Sequence, residues 1–100
     1  MGVSLLTVSL PVDGCMHRAA RVLEREGYTV SPGTDNILWG NMNPHHAVII
    51  CTAAPSGLTQ VSIVVSSLPP ETVDSAVGQS TRLKNRMLEI ARDRDWDRRR

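Results

Sequence analysis

The chain has no phenylalanine, one tyrosine and two tryptophans, so aromatic side chains make up only 3% of its 100 residues. Its core has to be assembled from Val, Leu, Ile, Met and Ala, which the 41% hydrophobic content supplies in ordinary amount. Such a core suits a single small domain but is thin, and thin cores are often supplemented by self-association. No apolar run reaches the roughly 18 residues of a membrane span. The opening "MGVSLLTVSLP" lacks a basic segment followed by an apolar one, and Leu6 stands where a myristoylation signal wants Ser or Thr. The expectation is a soluble cytoplasmic protein, unless a leader has been removed.

Cysteine is almost as scarce. Cys15 and Cys51 lie far apart and form no C-x-x-C, zinc-ribbon or redox motif. A bridge between them requires a fold that brings their Cα atoms within disulfide reach, and nothing local shows that it does. The expected state is reduced, with Cys51 packed as a small hydrophobe.

Charge is scarce where the chain is most apolar. Residues 1–81 hold three Arg against six acids, a balance of −3, and residues 82–100 hold seven Arg and Lys84 against four acids, a balance of +4. The basic surplus is terminal, and Asp93, Asp95 and Asp97 interleave with Arg92, Arg94 and Arg98, which weakens the local field. Nucleic-acid binding is disfavoured on that ground.

What is present is periodicity. Residues 3–10 alternate as a strand, with Leu6, Val8 and Leu10 on one face and Val3, Leu5 and Thr7 on the other, and Pro11 ends it. Asp13 is placed to cap a helix running to about Glu26, where Met16, Ala19, Ala20 and Leu23 recur at helical spacing and Gly27 fits a left-handed C-terminal cap. Short strands at 28–31, 36–42, 46–53 and 58–67 follow, separated by "PGTD", "NP" and "PSG", and most simply pair as antiparallel hairpins. After "LPPE", Val73, Ala76, Val77, Leu83, Met87, Ile90 and Ala91 line a helix from Glu71 to about Arg94, with Gly78, Ser80 and Thr81 weakening its middle towards a kink.

The order β-α-β-β-β(-β)-α predicts a two-layer α+β sandwich, a mainly antiparallel sheet with both helices on one face. It also predicts a single domain over residues 1–94 and a frayed basic tail at 95–100. The layout resembles that of many small bacterial domains, and no motif is specific enough to name a family.

The pair His45 and His46 before an apolar run containing Cys51 invites a metal or nucleophile reading. Alternation puts His46, Val48, Ile50 and Thr52 on one face and Ala47, Ile49, Cys51 and Ala53 on the other, so His46 and Cys51 point opposite ways. His45 shares the parity of Cys51 but stands six residues off, roughly 20 Å at about 3.3 Å per residue. Cys15 and His17 are about 200° apart on a helix. No metal site is assigned; His45 and His46 are expected near solvent at a hairpin turn. No G-x-S-x-G, P-loop, H-E-x-x-H or dinucleotide fingerprint occurs, and Asp13, Asp35 and Glu71 fall at turns and helix starts, so neither catalysis nor a cofactor is expected.

The strand at 46–53 is apolar on both faces, and two helices cover only one. Either Leu38 and Met42 or Ile37 and Trp39 extend the uncovered side, together with Val64. A homodimer interface at Leu38, Val48, Ile50 and Val64 is the leading expectation. The second is a small-molecule pocket lined by Tyr28, Trp39 and His46, although core packing is the commoner fate of such a tryptophan. The third is docking on a protein partner through a basic C-terminal helix carrying Arg82, Lys84, Arg86 and Arg92.

Overall fold

The computed structural model describes residues 1–33, 35–67 and 73–92. In chain order it contains β1 (Gly2–Val8), α1 (Val12–Arg25), β2 (Thr29–Pro32), β3 (Ile37–Met42), β4 (His45–Ala53), β5 (Thr59–Ser67) and α2 (Val73–Arg92). The strands form one sheet in the order β1-β5-β4-β3-β2, with every neighbouring pair antiparallel. Four strands are a meander, and β1 closes its far edge beside β5. The helices share one face: α1 lies over β2, β3 and β4, and α2 over β1 and β5. This is the two-layer α+β sandwich that the periodicity predicts. The expected tail at 95–100 and the helix start at Glu71 lie outside the described residues.

Local chemistry accounts for the element ends. Gly27 adopts φ 96°, and its N–H donates to the Glu24 carbonyl while Tyr28 N–H donates to the Leu23 carbonyl at 2.9 Å. These two bonds form a Schellman cap, with Leu23 and Tyr28 both buried as its hydrophobic partners. At the other end of α1 the cap position belongs to Pro11, which offers no side-chain bond, and Asp13 sits inside the first turn. Its carboxylate acts there through the helix dipole, not as the cap expected from the sequence. The β3–β4 turn is Asn43–Pro44, joined by a cis peptide bond, and the β4–β5 turn passes through Gly57 at φ 85°.

The core is aliphatic. From α1 it takes Cys15, Ala19, Val22 and Leu23, with Met16 and Ala20 half-buried beside them. The buried stripe is therefore centred one position away from the Met16-Ala20 line. From α2 it takes Ala76, Ser80, Leu83 and Met87, and from the sheet chiefly Leu6, Val8, Leu38, Ile49, Val61, Ile63 and Val65. Small residues let α2 approach β1 closely. A Cβ on Gly2 would lie 2.5 Å from the Ala76 carbonyl oxygen, and Ser4 donates across the contact to Ser80 Oγ at 3.2 Å. Gly78 is on the exposed side, and α2 runs unbroken from 73 to 92, because packing outweighs the weak propensity of its middle.

Cys15 and Cys51 are bonded to each other, with Cα atoms 6.2 Å apart, and both are fully buried. The expectation of two reduced cysteines is thus corrected. Helical parity puts Cys15 on the buried stripe of α1, strand parity puts Cys51 on the core face of β4, and α1 crosses β4 where they meet.

Candidate functional site

Both helices cover one face of the sheet, so among the described residues the other is open. Register reads that face as rows of side chains running across the strands. One row is Val3, Val64, Val48, Trp39 and Ser31, and the next is Leu5, Ser62, Ile50 and Ile37. Polar rows flank them: Thr7, Gln60 and Thr52 at one end, and Ser66, His46, Asn41 and Thr29 at the other. No Asp, Glu, Lys or Arg belongs to any of these rows. Among the described residues the open face is an apolar band between two polar rims, and His46 is its single titratable side chain.

Several band residues are strongly exposed: Val3 at 56%, Leu5 at 55% and Trp39 at 51%. Around Trp39 the face dips into a shallow concavity of about 410 Å³, whose lining includes Met1, Thr29, Trp39, Asn41, His46, Val48, Val64 and Ser66.

The residues expected at a site divide between the two faces. Val48, Ile50 and Val64 lie together on the open face, with Trp39 and His46 alongside. Leu38 does not join them: it is buried on the helix side with Gly40, because its strand pairs Leu38 with Ile49 of the core face. The open side of β3 is supplied by Ile37 and Trp39, and Trp39 is not packed in the core. A close approach explains the parity, since a Cβ on Gly40 would come within 3.1 Å of Leu23 and 3.2 Å of Tyr28. Gly40 leaves the room into which α1 settles, and that fixes Trp39 outward.

Tyr28 is also separated from Trp39 and His46, being buried on the helix side with its hydroxyl donating to Gln79 Oε1 at 3.0 Å. Burial, and secondarily the Glu26 carboxylate, pushes its hydroxyl up to about 12 from the usual 10. Folding thus favours the neutral phenol, and the associated stability is complete below pH 10 and is lost as pH rises through 12. Tyr28→Phe should flatten this alkaline loss, which for one such group has a slope of at most about 1.4 kcal/mol per pH unit. Urea titrations at pH 9 and pH 11 would check it, and parallel losses in parent and variant would count against the assignment.

His45 is buried, not near solvent as expected, and its Nδ1 shares a 2.7 Å hydrogen bond with Ser67 Oγ, its register partner on β5. His46 is exposed on the other face. Among the described residues, no three His, Cys, Asp or Glu side chains gather as a metal-holding group. On α2, Arg82 and Arg86 both reach Glu26 at the end of α1, with Arg86 Nε 3.2 Å from Oε2. Two of the four cations expected to dock a partner are therefore engaged within the fold. Arg92 ends α2, and Lys84 is partly buried on it. No helix among the described residues is long and apolar enough to cross a membrane. The sequence matches no protein-family model, and no curated protein is similar to it.

Proposed function

We propose that this is a non-catalytic pairing domain whose open sheet face docks on the same face of a second copy. The observation that carries the reading is the absence of charge across all five strands of that face. In a two-fold dimer each patch meets itself, so an ionised side chain on it would be desolvated and would find an opposite charge only if the same patch supplied one. A solvated sheet face has no such constraint and commonly carries charged side chains on its outward positions; this one carries none. Its apolar band inside polar rims also has the arrangement of an interface core and rim.

Size supports the same occupant. Five strands about 4.8 Å apart, each presenting roughly seven residues at about 3.3 Å, give a face on the order of 600 Å². That is the lower end of what each partner contributes to a stable interface, about 600–1,000 Å². A small molecule would occupy only the concavity at Trp39 and His46 and leave Val3, Leu5 and Ile50 uncovered. The ligand reading rests on that concavity alone, and the basic-helix reading is weakened by the engagement of Arg82 and Arg86 with Glu26.

Light scattering over a wide concentration range, with Val48→Lys and Ile50→Lys variants alongside, tests the proposal. The parent should have the mass of a dimer, and the variants should be folded monomers, because each lysine would be desolvated on a face whose rows offer no acid to pair with it. A parent that stays monomeric at every concentration would overturn it. A thermal shift with added compounds and no change of mass would favour the ligand reading instead.

A further inference from the structure

We infer that the Cys15–Cys51 bridge is made before α1 docks on the sheet, by exchange with an oxidising disulfide partner, and that the chain therefore matures in an oxidising compartment. The cytoplasmic expectation rested on the leader, lipidation and span patterns of the sequence, and the bridge is an observation of a different kind that bears on it.

The argument starts from access. Both cysteines are wholly buried, Cys15 beneath α1 and Cys51 in the middle strand of the sheet, where its backbone N–H is held by the Asn36 carbonyl at 3.0 Å and its register partner is Val61. Thiol–disulfide exchange needs a thiolate to meet an external sulfur along the S–S axis. In the folded chain neither sulfur can be met in that way. A thiolate is also disfavoured in an apolar interior, so a reduced folded chain is poor at the first step as well as hard to reach.

Before docking both obstacles vanish. One cysteine thiolate attacks the partner's disulfide and forms a mixed disulfide, releasing one partner thiolate. The second cysteine thiolate then attacks the chain's own sulfur in that mixed disulfide and expels the other partner thiolate. Two protons and two electrons leave the chain, and the partner's disulfide becomes two thiols, so the exchange balances with no further reagent. The chain has no third cysteine, so this is its one possible intramolecular bridge. A reducing cytosol holds thiols in the opposite state, whereas exported and extracellular proteins keep such bridges. Burial further separates it from redox sensors, whose cysteines are solvent-accessible; the bond is a staple set during folding.

The test has two arms on the intact chain. In the first, protein is taken from the cells that make it natively, quenched in acid, unfolded and alkylated, and its mass is measured. No added alkyl group is expected, and two would overturn the inference. In the second, the folded oxidised chain is exposed to dithiothreitol with and without denaturant. Reduction without denaturant should be about 100-fold slower, as for a bond that reacts only through a local opening populated near 1%. Equal rates would show that the sulfurs are reachable in the fold, and would overturn the order of events.

Discussion

Replacing Cys15 and Cys51 together by alanine should lower the unfolding free energy by about 4 kcal/mol, the chain-entropy value for a cross-link closing a loop of this size. The two residues are 36 apart, so the bridge removes a large share of the unfolded chain's freedom. Alanine is the informative substitute, because serine would bury two hydroxyls at positions without solvent. A domain of this length typically holds about 5–15 kcal/mol in total, so the loss would leave it marginal. The midpoint should fall by roughly 16–32 °C, since a domain of about 100 residues loses roughly 4–8 °C per kcal/mol. Urea unfolding of the variant, and of the parent with and without reductant, is the measurement. Variant and reduced parent should nearly coincide, well below the oxidised parent. A variant within about 1 kcal/mol of the oxidised parent would show that the aliphatic core alone holds α1 on the sheet.

That dependence was not legible in the sequence, and the reason is geometric. Alternation assigned Cys51 to a face of its strand, and Cys15 fell within the expected helix, but no local pattern reports where a helix crosses a sheet. The elements themselves were readable because each carried a short-range signal. Gly27 ended α1, and turn residues separated four strands whose ends were placed within one residue; β1 instead stops at Val8, two residues short of the expected Leu10, and Pro11 opens α1. Where two signals competed, the interface expectation took Leu38, and the structure reverses that choice. In β3 both Leu38 with Met42 and Ile37 with Trp39 are apolar sets of one parity, and bulk favours burying the tryptophan. The deciding residue is Gly40, which shares parity with Leu38 and marks the side on which Leu23 and Tyr28 press against the strand. A glycine inside a strand signals close approach of another element, and here that points the helix layer to Leu38 and the open face to Trp39. His45 was misplaced for a related reason: adjacency to a turn suggested solvent, whereas its parity with Ala47 and Ile49 puts it on the buried face, where Ser67 satisfies it.

The outward tryptophan supplies the other large effect. Trp39→Ala should weaken the dimer by about 2 kcal/mol or more, roughly 30-fold in dissociation constant, because a buried aromatic near the centre of an interface usually carries a disproportionate share of the binding. Trp39 lies in the most apolar row, directly across from Val48, with Ser31 on its other side. Half of it is exposed in the single chain, so the same substitution should leave monomer stability within about 0.5 kcal/mol, as for other surface positions. The pair of results separates an interface anchor from a core residue, whose truncation would cost stability first. Fluorescence offers an independent reading in a Trp96→Phe background, where Trp39 is the only indole: its emission should move to shorter wavelength as the chain is concentrated and water leaves the face. If Trp39→Ala shifts the dimer midpoint by less than about twofold, the apolar band is not the centre of the contact, because no other described side chain on the face has comparable area to desolvate.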